Sequence, residues 1–127
     1  MLPLAHARAW FVASALLIAA VAYFSLVPNP PVPMPGNVDK VEHAAAYLFL
    51  AVWFTGLVGR GHFWKVALSL ALLGLAMELL QHIMALGRQA DPRDLAANVL
   101  GIAIGVTLGA RLTGGWALRL ESWLNRN

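Results

Sequence analysis

The chain has no cysteine, and only 12% of its 127 residues are charged. The first absence excludes disulfides, thiolate metal centres and thiol nucleophiles. The second, beside a hydrophobic content of 60%, lies outside the range of a soluble globular domain. There is also no His-Glu-x-x-His zinc motif, no glycine-rich phosphate loop ahead of a helix, and no internal repeat. A formal charge of +3 could suit nucleic acid, but the nine Lys and Arg residues sit mostly at the ends of apolar segments. Without a basic stripe to track phosphates, no nucleic-acid partner is expected.

What the chain does have is hydrophobic length. Four apolar segments, about 9–27, 41–58, 66–86 and 95–112, each approach the roughly 17–25 residues that a helix needs to cross a bilayer. Lipid offers the backbone no hydrogen-bond partner, so spans of this length are helices. The expectation is one all-α domain over 1–127, an integral membrane four-helix bundle. The first segment has a short basic flank (His6, Arg8), but a proline-rich stretch follows it where a signal peptide would carry small residues for cleavage. It reads as a signal anchor.

Positive charge sets the expected orientation. Arg8, Arg60, Lys65, Arg111, Arg119 and Arg126 fall on one side, against Lys40, Arg88 and Arg93 on the other. Both termini are therefore expected in the cytoplasm. Five of the seven prolines (Pro28, Pro30, Pro31, Pro33 and Pro35) lie between the first two segments and suggest a stiff strap across the outer face. Beyond Gly114-Gly115, residues 116–125 pattern as a short amphipathic helix. It would place Trp116, Leu120, Trp123 and Leu124 on one face and Arg119, Ser122 and Arg126 on the other, as an interfacial anchor.

The polar residues inside the segments form stripes. Asp39, His43 and Tyr47 are four apart and share a face of the second helix. Glu78, Gln81 and His82 share a face of the third, with Glu78 about 12 Å below its outer end. Asp94 and Asn98 lead a stripe on the fourth helix that continues as Gly101, Gly105 and Gly109, a small-residue face suited to close helix approach. Asp91 suits an N-cap, Pro92 the first helical position, and Asp94 the third, where an acid complements the helix dipole. All three stripes are expected at the outer end. Charge near the bilayer centre costs about 2.5–3.5 kcal/mol on insertion scales, so these groups should face one another or water.

The series Asp39-Lys40-x-x-His43-x-x-x-Tyr47, Glu78-x-x-Gln81, Arg88, and Asp94-x-x-x-Asn98-x-x-Gly101-x-x-x-Gly105 resembles the VanZ family of small bacterial membrane proteins. The resemblance covers Asp39 to Gly105; Glu42 and His82 are not part of the pattern. It implies a multi-pass protein of the bacterial cytoplasmic membrane, linked to lipoglycopeptide (teicoplanin) action at the cell envelope. It does not supply a mechanism.

From the residues themselves, Ser14, Ser25, Ser69 and Ser122 lie outside the stripes, which argues against a Ser-His-Asp arrangement. The expected function is recognition of a lipid or glycopeptide headgroup by an outward-facing polar pocket of Asp39, His43, Tyr47, Glu78, Gln81, Arg88, Asp94 and Asn98. The partner would be a membrane lipid or a lipid-linked envelope precursor, with no cofactor required. The alternative is a metal-dependent hydrolase or transferase, with a divalent ion held by His43, Glu78 and Asp94 or with Glu78 as general acid or base. A third reading makes the chain a homo-oligomer or an accessory subunit of a larger membrane complex.

Overall fold

In a computed structural model the chain is described over residues 1–27, 38–84 and 91–126. Among these residues there is no strand. Five α-helices follow in order: α1 (Ala7–Leu26), α2 (Val38–Leu57), α3 (Phe63–Met84), α4 (Pro92–Leu108) and α5 (Trp116–Leu124). A 3-10 turn, Arg60–His62, leads into α3, and a π turn, Gly109–Thr113, extends α4. The four long helices match the four apolar segments, with starts up to three residues earlier than periodicity alone suggests. The expected proline strap and the loop carrying Arg88 lie outside the described residues.

Three elements are long and apolar enough to cross a membrane: Ala7–Leu26, Arg60–Met84 and Pro92–Thr113. The second segment departs from the expectation of four equally apolar spans. It forms a 20-residue helix of similar length, but its first turns carry Asp39, Lys40, Glu42 and His43. Its position explains this composition. α2 is the central helix, packed on α3, α4 and α5, so Asp39, Lys40 and His43 meet protein partners instead of lipid, while Glu42 is exposed.

The tightest packing joins α2 to α4. The two run parallel, because residues rising along α4 meet residues rising along α2. A Cβ on Gly101 would collide with the Ala44 carbonyl, and one on Gly105 would sit 2.6 Å from the Leu48 oxygen. One on Gly109 would strike the Thr55 hydroxyl. The glycine face is thus a groove into which the Ala44/Leu48/Ala51/Thr55 face of α2 fits. With little hydrophobic force between helices in lipid, such close van der Waals contact is what holds them together. Tyr47, Leu50, Ala51, Val66, Leu70 and Ile102 form the core around this seam.

Asp91 does cap α4: its Oδ1 accepts from the Arg93 amide at 2.9 Å, with Pro92 in the first turn. At the far end, the Gly114 amide donates to the Gly109 carbonyl at 2.8 Å, closing the π turn. Gly115 follows with φ 72°, a left-handed geometry that glycine adopts without strain, and the chain reverses into α5.

The face by which α5 docks differs from the apolar periodicity. Ala117 and Glu121, four apart, are buried against the bundle, while Leu120, Trp123 and Leu124 are exposed. Trp116 leaves that exposed set and donates from Nε1 to the Val52 carbonyl at 3.2 Å. It packs with Trp10 and Trp53 in a three-tryptophan cluster whose ring centroids are 5.3–5.8 Å apart. A count of apolar residues could not anticipate that a carboxylate would choose the inner face.

Candidate functional site

Five of the six acidic residues lie at one end of the bundle: Asp39, Glu42, Glu78, Asp91 and Asp94. We call it the acidic end. At the opposite, basic end, Glu121 is the sole acid.

His43 is the hub of the acidic end. It is buried, and its Nδ1 lies 3.1 Å from the Asn98 side-chain oxygen on α4. An amide oxygen only accepts, so Nδ1 carries the proton and donates. The other ring nitrogen, Nε2, lies 3.8 Å from Asp39 Oδ1 and 3.8 Å from Asp94 Oδ2. The i,i+4 spacing on α2 brings Asp39 to His43, and the glycine seam brings Asp94 and Asn98 there from α4.

Lys40 has a larger part than its place in the sequence suggested. Its Nζ lies 2.9 Å from Asp94 Oδ1 and 3.0 Å from Asp91 Oδ2. It therefore joins α2 to the N-terminus of α4. Asp91 sits in the loop ahead of that helix. There the Arg93 amide and then Lys40 hold its carboxyl below the usual carboxylate range.

On α3, Glu78 is buried and electrostatically coupled to Asp94 and His43. The Asp91 amide faces it, but no well-formed hydrogen bond reaches either carboxylate oxygen among the described residues. Glu78 makes no hydrogen bond across the helices to His43 or Asn98. The Tyr47 hydroxyl, on a side chain only 1% exposed, is likewise without a hydrogen-bond partner among the described residues. Tyr47 and Asn98 crowd Gly74 of α3, where a Cβ would come within 3.2 Å of Asn98 Nδ2 and 3.4 Å of the Tyr47 hydroxyl. Gly74, one turn before Glu78, is what lets α3 close over them.

Gln81 is buried but turns elsewhere. Its Nε2 donates to the Ser25 carbonyl at 2.7 Å, tying α3 to the last turn of α1. His82 is exposed and outside the cluster. Arg88 lies outside the described residues.

Between α1 and α2 a cleft of about 200 Å³ opens beside the hub. Asp39, Glu42, His43 and Tyr47 line one wall; Val21, Phe24 and Ser25 line the other. Ser25, set apart from the polar stripes on sequence grounds, thus borders the same space as His43 and Asp39. Glu42 also lines it, although it falls outside the motif series. Both were missed because the first helix offers no polar stripe that would place its last turn against α2.

For metal chemistry, Asp39, His43 and Asp94 can each offer a ligand atom within 4.8 Å of the others. This trio shares His43 and Asp94 with the His43, Glu78 and Asp94 set expected from sequence, and adds Asp39. Asp39 enters because it and Asp94 flank Nε2 from two sides.

The basic end is built on a different plan. Glu121 Oε2 accepts from the Ala5 amide at 2.7 Å. Its Oε1 accepts from the His6 amide at 2.9 Å and the Trp10 indole at 2.8 Å, and His6 Nδ1 lies 3.4 Å away. Burial acts to raise this carboxyl's pKa, but the donors prevail and hold it below the usual value. Here an acid caps the first helix and no polar atom of it is left over.

No curated protein and no solved structure matches this chain. A family model described as VanZ/LLP1 does, over residues 3–113. That span takes in all four long helices and every residue of the acidic end. The agreement of the motif series, the apolar helices and this match means that the chain belongs to the VanZ/LLP1 family.

Proposed function

We propose that the acidic end recognises the polar headgroup of a membrane lipid, or of a lipid-linked or glycopeptide envelope molecule, from the outer face of a bacterial cytoplasmic membrane. The observation that carries this reading is the pair of buried groups without partners. The hydroxyl of Tyr47, a residue that lines the open cleft, and both oxygens of Glu78, electrostatically coupled to Tyr47, are kept from water, and no described residue satisfies them. A buried polar group without a hydrogen bond costs about 1–3 kcal/mol, more when charged, and such groups persist where a ligand completes them.

The charge of the cleft narrows the ligand. With Asp39 and Glu42 in the wall and Glu78 behind it, the cleft favours hydroxyl and amine donors, as on a sugar or an aminated headgroup, over a bare phosphate. Orientation rests on the basic end, where Arg8, Arg60, Lys65, Arg111, Arg119 and Arg126 gather. Basic residues favour the cytoplasmic side, which directs the cleft outward.

Native mass spectrometry of the protein reconstituted with extracted envelope lipids, and separately with teicoplanin, tests the reading. The wild type is expected to retain a hydroxyl- or amine-bearing ligand. Glu78→Gln is expected to bind it at least tenfold more weakly, equivalent to about 1.4 kcal/mol. Equal retention by a normally inserted Glu78→Gln protein would sink the proposal.

A further inference from the structure

We propose that Asp39, His43 and Asp94 bind a single divalent transition-metal ion, with an open coordination position directed to the α1–α2 cleft. This assignment stands apart from the headgroup reading and does not depend on it.

The argument starts from the His43 ring. Because Asn98 presents an oxygen to Nδ1, that nitrogen donates, and Nε2 is the ring atom free to take a ligand. What Nε2 faces is two carboxylate oxygens, Asp39 Oδ1 and Asp94 Oδ2, each at 3.8 Å. At that distance neither oxygen is within hydrogen-bond reach of Nε2, and the gap between the three atoms is of a size to hold an ion. Lys40 holds Asp94 from the other side, with its Nζ on Oδ1 and on Asp91. The result resembles a ligand set held from behind. Asn98 orients His43 and Lys40 orients Asp94, as outer-shell partners orient metal ligands.

The separations suit a small ion. Zinc–nitrogen and zinc–oxygen distances of about 2.0–2.2 Å imply ligand atoms about 3.3–3.5 Å apart in a tetrahedron. The two 3.8 Å pairs come within that range after side-chain shifts of a few tenths of an ångström, and the Asp39–Asp94 pair, within 4.8 Å, closes by a larger movement of the half-exposed Asp39 carboxylate. One imidazole with two carboxylates favours zinc, manganese or ferrous iron over magnesium or calcium, which take oxygen-only shells. Three protein ligands leave a fourth position, as in sites that take up an exogenous ligand. An independent feature points the same way. Tyr47 lines the same cleft as Asp39 and His43, and its hydroxyl is almost fully buried and unpartnered among the described residues.

The test is metal binding by the purified, chelator-stripped full chain, titrated with zinc and with manganese in the absence of any lipid ligand. One ion per chain is expected. Asp39→Asn and His43→Gln should each weaken binding at least tenfold, and Asn98→Leu about 10–100-fold through loss of ring orientation. Glu121→Gln, at the opposite end, should leave affinity unchanged. Helical circular dichroism and a single gel-filtration peak establish folding; if His43→Gln fails them, half-exposed Asp39→Asn serves alone. Absence of stoichiometric binding to folded wild type overturns the site. Binding that persists in Asp39→Asn overturns it too, assigning the ion to an exposed histidine such as His82. Either negative outcome leaves the headgroup reading standing, since that is scored by ligand retention in mass spectrometry.

Discussion

The two ends of the bundle handle buried carboxylates in opposite ways. At the basic end one acid, Glu121, meets three donors and a histidine ring, and α5 is held against the start of α1. At the acidic end Asp94 shares Lys40 with Asp91, and both oxygens of buried Glu78 are without a hydrogen-bond partner among the described residues. A satisfied carboxylate is a structural fastener. An unsatisfied one is costly to keep in a membrane, and that cost is what supports the proposed ligand.

Breaking what both ends share should have the largest effect. Gly101→Leu drives a side chain into the Ala44 backbone, separates α2 from α4 and scatters the acidic end. A loss of about 3 kcal/mol is expected, read as a lowered thermal midpoint in detergent together with loss of ligand retention. Next, Lys40→Met removes the ammonium that bridges Asp91 and Asp94. It should lower the midpoint by several degrees, whereas the same change at exposed Lys65 should not.

The basic end can be tested by pH. Because the Glu121 carboxyl is held below its ordinary value, its contribution is complete at neutral pH and disappears as pH falls through the lowered value. Melting in acid should therefore loosen α5 first, seen as a rise in tryptophan exposure from the Trp10–Trp53–Trp116 cluster. Glu121→Gln should flatten that pH dependence and leave the acidic end intact. The smallest effect on stability is expected for Tyr47→Phe, which deletes a buried hydroxyl without a partner. Its midpoint should be unchanged or raised, by about 1 kcal/mol at most, while ligand retention falls. A clear loss of stability would show that the hydroxyl is bonded within the protein, and the contrast between the ends would weaken.

How much of this was legible in the sequence depends on the kind of interaction. Helices could be read because lipid forces apolar length, and the Gly101/Gly105/Gly109 groove because four-residue spacing maps directly onto a face. The Asp91 cap could be read because it needs only three consecutive residues. Gln81 could not be followed to its partner, since that partner is the Ser25 carbonyl, and any residue carries a carbonyl. Gly74 has no spacing partner on its own helix, and what it accommodates comes from α2 and α4. Glu121 sat among arginines on an interfacial pattern, where a solvated acid is ordinary. Its burial depends on the chain reversing at Gly115, a tertiary event.

The glycine groove between α2 and α4 has one more consequence. It repeats every four residues on α4, where Gly101, Gly105 and Gly109 meet Ala44, Leu48, Ala51 and Thr55 of α2. Sliding α2 by a turn, about 5.4 Å, would again set its backbone against a glycine. The apolar seam alone chooses poorly between these notches. The Lys40–Asp94 and His43–Asn98 contacts act as the index pin, for they close at one setting only. Whatever binds at the acidic end therefore meets the contacts that fix the register of α2 against α4.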